Sequence, residues 1–196
     1  MTTNETFFFR EEKHFEYLQS VILPTINPNK EYKVWSAASS SGEEPYSIAM
    51  LLNESCFAPW SVIASDVNKS VLTHARKGIY IDDRTKLLPD KYRKAYCVKG
   101  TGEFEGYMRV KPELRSRLHF FSFNLLDDMS NLGKFDLIFI RNVMIYFDDK
   151  TRQKIINGLQ QCLTKDGYLF ISHSETLHGL EHSFKLIKPA IYQYEG

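Results

Sequence analysis

The chain has 196 residues, of which 43% are hydrophobic and 14% aromatic, and its 25 basic and 24 acidic residues leave a net charge of +1. This composition excludes a disordered chain and gives no support for nucleic acid as the main partner. Its three cysteines form no CxxC pair and no apolar run is long enough to span a membrane, so we expect reduced thiols, a cytoplasmic location and no membrane insertion.

The first twenty-four residues predict an aromatic docking segment and one helix. Phe7–Phe9 form an abrupt aromatic run after a polar start, and we expect it to pack on the core. Glu11–Leu23 carries apolar residues at helical spacing, and Pro24 ends that pattern.

The stretch VWSAASSSGEEPYSIAM predicts a strand, a loop of small residues and a helix. The strand is expected at Tyr32–Ala37, the loop at Ser36–Gly42 and the helix at Glu44–Glu54. This is the opening of a nucleotide-binding α/β unit, but the loop has one glycine and does not match a dinucleotide fingerprint. Glu43 and Glu44 repel a phosphate and favour a cationic nucleoside such as S-adenosylmethionine. An ordinary loop, with both acids complementing the helix dipole, remains the alternative.

A second strand is predicted at Trp60–Ser65, and Asp66 follows it. An acid at this position, some twenty residues after the loop, is where doubly wound folds bind a ribose diol. The alternative is that Asp66 caps the helix predicted at Lys69–Lys77.

The alternation of strands and helices is interrupted between residues 80 and 118. After a helical piece at Pro89–Tyr96, three glycines separate short β-favouring runs, which predicts a small antiparallel hairpin at Cys97–Val110 inserted into the main fold. Its glycines are Gly100, Gly102 and Gly106.

The rest of the chain returns to the main sheet and predicts a single doubly wound α/β domain over residues 1–196, with a mostly parallel sheet. The expected elements are strands at Leu118–Phe123 and Phe135–Ile140, a helix at Lys150–Leu163 closed by Gly167, a strand at Tyr168–Ser172, and a closing hairpin of Phe184–Ile187 and Ile191–Tyr194.

Polar residues follow successive predicted strands at the edge where open α/β sheets bind ligands. They are Ser36–Gly42, Asp66, Asn124 and the pair Arg141 and Asn142. Four such positions in chain order predict a ligand site at this edge.

The chain resembles the CheR-type chemoreceptor glutamate methyltransferases, which have the class I S-adenosylmethionine methyltransferase fold. The motifs that carry the resemblance are TNETFFFRE, WSAASSSGEEPYSIAM, ASDVN, KGTGEFEGYMRV, FNLLDD, FDLIFIRNVMIYFD and GYLFISHSE. Many members have Gly-Cys where this chain has Ala38-Ser39, which is a mild departure because alanine and serine are also small.

The resemblance implies transfer of a methyl group from S-adenosylmethionine to receptor glutamates, giving methyl esters and S-adenosylhomocysteine without a metal. A module that binds this cofactor without catalysis is the alternative function. The implied cofactor contacts are Asn4, Thr6, Arg10, Glu44, Asp66, Asn124, Leu125, Arg141 and Asn142.

The roles of the two candidate catalytic residues, Arg10 and Tyr146, leave alternatives open. Arg10 either pairs with the methionyl carboxylate, acting in catalysis, or is a plain surface cation. Tyr146 either directs its hydroxyl at the transferred methyl group or packs its ring in the core.

The resemblance also bears on partners. In similar enzymes the inserted hairpin docks a receptor's C-terminal tail peptide, which here would use the loop of Gly100, Gly102 and Gly106; the alternative is a solvent-facing excursion. Similar proteins usually carry a helical domain before the TNET motif, whereas this sequence starts at the motif. We therefore expect that domain to be absent, either from the sequence as given or from the protein.

Overall fold

A computed structural model describes residues 6–196, and the structural statements below refer to that range. The helices are α1 (Glu12–Tyr17), α2 (Glu43–Ser55), α3 (Lys69–Lys77), α4 (Asp90–Tyr96), α5 (Pro112–Arg115) and α6 (Asp149–Cys162). The strands are β1 (Tyr32–Ser36), β2 (Trp60–Asp66), β3 (Ile79–Ile81), β4 (Cys97–Lys99), β5 (Tyr107–Val110), β6 (Leu118–Ser122), β7 (Phe135–Phe139), β8 (Leu163–Phe170), β9 (Phe184–Lys188) and β10 (Ile191–Tyr194). Among these helices, none combines the length and apolarity needed to cross a bilayer.

The main sheet of the described range has seven strands in the order β6-β2-β1-β7-β8-β10-β9. The first five run parallel, and the last two form an antiparallel pair at one edge. Val34 and Trp35, adjacent on β1, belong to two different hydrophobic clusters, so the sheet is covered on both faces. The predicted fold class is confirmed.

The inserted segment forms a second, antiparallel sheet in the order β3-β5-β4. The predicted hairpin of β4 and β5 is present, but the sequence interpretation missed β3, a three-residue strand directly after α3. A Cβ at Gly100 would lie 1.9 Å from the Phe104 carbonyl oxygen, and Gly102 has a φ of 59°. Gly100 is therefore required by the close approach, and Gly102 is favoured by its left-handed backbone.

Three sequence predictions of element boundaries are wrong. The strand predicted at Tyr168–Ser172 begins earlier and forms β8 at Leu163–Phe170. The helix predicted at Glu11–Leu23 ends as an α-helix at Tyr17 and continues as a π-helical turn and a 3-10 turn. Gly167 does not close a helix, because α6 ends at Cys162 and Gly167 lies inside β8. A Cβ at Gly167 would meet the Thr164 carbonyl oxygen at 2.9 Å, so this glycine serves a close backbone approach within the strand.

Two residues of the predicted aromatic run, Phe8 and Phe9, pack on the core as predicted, whereas Phe7 is only partly buried and lines the pocket described below. Phe8 and Phe9 are buried in the same cluster as β1, and the Phe9 amide donates to the Ser47 hydroxyl of α2 at 2.9 Å. This packing brings the following residues, Arg10 and Glu11, to the carboxyl ends of the central strands.

Candidate active site

A pocket of about 310 Å³ opens where β1, β2 and β7 end. Six of the residues predicted to contact the cofactor line it together, and so does Tyr146. They are Thr6, Arg10, Glu44, Asp66, Arg141 and Asn142. The predicted contact Asn4 lies outside the described residues.

The loop between β1 and α2 is fixed by close packing against α3 and by an ion pair with Arg84 of the inserted subdomain. Gly42 has a φ of 98°, and a Cβ there would lie 2.8 Å from the Ala75 Cβ of α3, so the chain needs glycine at this turn. The buried Glu43 accepts from Arg84 at 3.0 Å and from the Ser41 hydroxyl at 2.7 Å. Of the two acids in the first turn of α2, Glu44 alone lines the pocket.

Asp66 ends β2 and organises the pocket wall with both carboxylate oxygens. Oδ2 accepts from the Ser40 amide at 2.9 Å, and Oδ1 accepts from the Asn68 amide at 2.9 Å. The side chain of Asn68, not that of Asp66, caps α3 by accepting from the Ser70 amide. The capping interpretation of Asp66 is therefore wrong, and its carboxylate joins two loops at the pocket.

Arg141 is a buried cation that ties three parts of the site together. Its Nη1 lies 3.2 Å from Glu44 Oε2, its Nη2 lies 3.5 Å from Glu11 Oε2, and Nη2 also donates to the Arg10 carbonyl oxygen. The guanidinium therefore holds the N-terminal segment against the start of α2.

Arg141 has two carboxylate partners, Glu44 and Glu11, and their pKa values are shifted in opposite directions. Burial raises the pKa of the Glu44 carboxyl, an effect that Arg141 and the Ser36 hydroxyl at 2.7 Å partly offset. For Glu11 burial also acts to raise the pKa, but Arg141 and hydrogen bonds from Ser172 and His173 lower it below its usual range. The site thus holds Glu11 as an anion in contact with Arg141.

Tyr146 stands at the rim of the pocket with 53% of its surface exposed. The interpretation of this ring as part of the core is wrong. Asn142, four residues earlier, has a φ of 59° and donates from its side-chain amide to the Ser172 hydroxyl at 2.8 Å. Both residues belong to the segment that follows β7.

Asn124 and Leu125 are not among the residues that line the pocket. Leu125 is buried in a hydrophobic cluster, and Asn124 Oδ1 accepts from the Leu126 amide. Their segment nevertheless runs beside the site, because the Phe123 amide donates to the Asp66 carbonyl oxygen at 3.1 Å. The contact of Asn124 and Leu125 with the cofactor stays a prediction.

Sequence reasoning missed five pocket residues. Asn68 carried a readable signal, since asparagine ahead of a helix is a preferred cap. The other four are apolar and carry no such signal by themselves: Phe7, Phe15, Val71 and Val143.

Glu11, His14 and His173 place their ligand atoms within 4.8 Å of one another. The two imidazole rings stack with centroids 4.9 Å apart and planes 16° apart, so their nitrogen lone pairs do not converge on one point as a metal requires. Arg141 adds a positive charge beside Glu11. These contacts fit an ion-pair network better than a cation site, and the predicted absence of a metal stays a prediction.

His14 makes the stability of the protein depend on pH. Burial lowers the pKa of His14 to about 3. The charges of Arg141 and His173 also lower it, whereas the carboxylate of Glu11 acts to raise it. An unfolded histidine binds a proton near pH 6.5, whereas folded His14 does so only near pH 3. Stability present at pH 7 is therefore lost as pH falls from 6.5 towards 3.

A His14→Phe variant should flatten this dependence. Neither ring nitrogen of His14 has a hydrogen-bond partner, so we expect little loss of stability at pH 7. Urea unfolding at pH 7 and pH 5 should give a smaller difference for the variant than for the wild type. An equal difference in the two proteins would contradict this account of His14.

The chain is similar in sequence to proteins of known family. A family model described as "CheR methyltransferase, SAM binding domain" matches residues 4–192. The chemotaxis protein methyltransferase of Escherichia coli is 45% identical, over 98% of this chain and 68% of that protein. The corresponding protein of Salmonella typhimurium is 44% identical, over 98% and 67%. That of Borreliella burgdorferi is 43% identical, over 98% and 71%.

Solved structures support the fold. The glycopeptide N-methyltransferase MtfA complexed with sinefungin has a TM-score of 0.53 at 13% identity, covering 87% of this chain and 51% of that chain. The citrinin polyketide synthase CMeT domain has a TM-score of 0.55 at 12% identity, covering 82% and 33%. At these identities the likeness concerns the fold alone.

Proposed function

Because the chain belongs to the CheR methyltransferase family, we propose that it methylates glutamate side chains of chemoreceptors in chemotaxis. S-adenosylmethionine is the methyl donor, and the products are glutamyl methyl esters and S-adenosylhomocysteine. Residues 1–196 act as one catalytic domain in the cytoplasm. The observation that carries the proposal is that Asp66, Glu44 and Arg10 line one and the same pocket where β1, β2 and β7 end.

Asp66 is suited to bind the ribose. Each of its carboxylate oxygens already accepts one backbone amide, from Ser40 or Asn68, and retains a second acceptor site. The two remaining acceptor sites match the two hydroxyl groups of a ribose diol. Because the two amides fix its orientation, Asp66 is preorganised for this role.

The methionyl end is assigned to Arg10 and Glu44. Arg10 can hold the carboxylate bidentately, and the partly buried Glu44 can receive the ammonium group. Arg141 and Asn142 act through the network around Glu44 and Ser172, while Thr6, Asn4, Asn124 and Leu125 are assigned to cofactor contacts as the family resemblance implies.

The donor, when bound, supplies an electrophilic methyl group on its sulfonium. The acceptor glutamate has an unperturbed pKa of about 4.3 and is ionised at neutral pH, so no general base is required. The protein's residues therefore have to orient the carboxylate and exclude water. Tyr146, exposed at the rim, is placed to contact the entering side chain.

Transfer to a carboxylate, as opposed to nitrogen, has a direct chemical signature. Receptor-rich membranes incubated with the protein and methyl-labelled donor should acquire label that mild base releases as methanol. The reaction should proceed in the presence of a chelator, since no step needs a metal. Base-stable label would contradict the glutamate assignment, and donor binding without transfer would favour the non-catalytic alternative.

We also propose that the inserted subdomain docks an extended receptor tail peptide. Strand β4 pairs with β5, and its other edge has no strand partner among the described residues. Beside it lies a groove that includes Val98, Phe104 and Tyr107, all of which expose apolar surface. An extended peptide can add to such an edge, and tethering makes even a micromolar contact effective because the local concentration is roughly millimolar.

Gly102→Val should weaken binding of a receptor-tail peptide severalfold and leave S-adenosylhomocysteine binding intact. A Cβ at Gly102 meets nothing within 4 Å, so the effect arises from forcing a β-branched residue into a left-handed backbone. Gly102→Asn is the matched control, because asparagine tolerates that conformation. Titration calorimetry measures both, and a wild-type protein that binds no tail peptide at high micromolar concentration would contradict the docking proposal.

A further inference from the structure

Glu175 uses its whole carboxylate to bind backbone amides. Oε1 accepts from the amides of Val143 and Met144 at 2.9 and 2.8 Å. Oε2 accepts from the amides of Asn142 and Ser172 at 3.1 and 2.8 Å. An ionised carboxylate offers about four acceptor sites, so these four amides fill it.

Three of the four amides belong to the segment that leaves β7. This segment has no regular strand or helix at Asn142 and Val143, and Asn142 adopts a left-handed φ of 59°. Its amides therefore need an acceptor from elsewhere in the chain, and Glu175 supplies it from 31 to 33 residues away.

The same segment forms one wall of the pocket. Arg141, Asn142, Val143 and Tyr146 all line it. Beside the Glu175 carboxylate, the Ser172 hydroxyl accepts from the Asn142 side chain at 2.8 Å and donates to Glu11 at 2.7 Å. Ser172 and Glu175, which both follow β8, thus hold a side chain and the backbone of this wall.

We propose that Glu175 is a positioning residue for methyl transfer, fixing the 141–146 wall so that its side chains face the bound donor and the acceptor. This inference rests on the proposed function, because the pocket it shapes is the proposed donor site. Glu175 does not line that pocket and acts through the residues it orients.

Glu175→Gln is the discriminating change, because glutamine has the same size but only one acceptor oxygen. Its NH₂ group would face two N–H donors that cannot be satisfied. We expect the affinity for S-adenosylhomocysteine to fall at least fivefold and kcat at least tenfold. Glu175→Asp keeps a carboxylate on a shorter stem and should recover part of both.

The exposed Glu181→Gln is the matched control, since it removes the same charge in the same C-terminal region and should stay within twofold of the wild type. Calorimetry with S-adenosylhomocysteine and methyl-transfer kinetics are measured well below the unfolding temperature, with folding checked by circular dichroism. A folded Glu175→Gln within twofold of the wild type in affinity and kcat would overturn the inference. A wild-type protein that does not bind S-adenosylhomocysteine would overturn the proposed function, and the role of Glu175 with it.

Hydrogen exchange of the wild-type protein tests the same contact without any variant. The amides of Asn142, Val143 and Met144 should exchange slowly although they lie in an irregular segment or at its junction with a short turn. Exchange as fast as that of the exposed Gly179 amide would overturn the inference even if the variant failed to fold.

Discussion

Asp66→Ala should lower the affinity for S-adenosylhomocysteine at least tenfold. The change removes the proposed acceptor for two ribose hydroxyls, and each hydrogen bond to a charged group contributes about 1.5–3 kcal/mol. It also removes the link between the Ser40 and Asn68 amides, which frees two walls of the pocket. Titration calorimetry on the folded variant measures the effect.

Two further variants separate the ribose contact from loss of charge. Asp66→Asn keeps the size but offers one acceptor oxygen, so its affinity should lie between those of Asp66→Ala and the wild type. Asp127→Ala removes an exposed carboxylate that does not line the pocket and should bind as the wild type does. Unchanged affinity in a folded Asp66→Ala would reject the ribose role.

Arg141→Ala should lower the free energy of unfolding by about 3–5 kcal/mol, the usual cost of leaving buried charges without their partner. The variant leaves Glu44 and Glu11 without the guanidinium that joins them, and frees the Arg10 carbonyl oxygen. Arg141→Lys should recover only part of the lost stability, because one ammonium group cannot replace the planar, forked guanidinium. Urea unfolding at pH 7 measures all three proteins.

The exposed ion pair of Lys86 with Asp83 provides the control for this prediction. Lys86→Ala removes a cation of the same sign from the surface and should leave the urea midpoint unchanged. Because loss of Arg141 raises the pKa of Glu44 further, the penalty of Arg141→Ala should shrink as pH falls towards 5. A loss of under about 1 kcal/mol at pH 7 would show that Arg141 does not hold the site together.

The main sheet could be predicted because its signals are local. The buried run of β7 and the strand-loop-helix pattern around Gly42 are readable in consecutive residues. Strand β3 was missed because three residues directly after a helix carry no periodicity of their own. Gly167 was misread because a glycine needed for a close approach inside a strand looks, in sequence, like a helix terminator.

The pocket could be predicted in part for a topological reason. Parallel strands end at one edge, so Asp66 and Arg141 line the same pocket although they lie 75 positions apart in the sequence. What each side chain does there depends on partners distant in sequence. Arg141 reaches Glu44 and Arg10, 97 and 131 residues away, and Glu175 returns to the segment after β7. No spacing pattern in the sequence predicts such contacts.

A crystal structure with S-adenosylhomocysteine tests the central assignment most directly. We expect both ribose hydroxyls to bind the Asp66 carboxylate and the homocysteine end to lie between Arg10 and Glu44, in the pocket where β1, β2 and β7 end. A ligand bound elsewhere, or one in this pocket with Asp66 out of hydrogen-bond reach of its ribose, would contradict it.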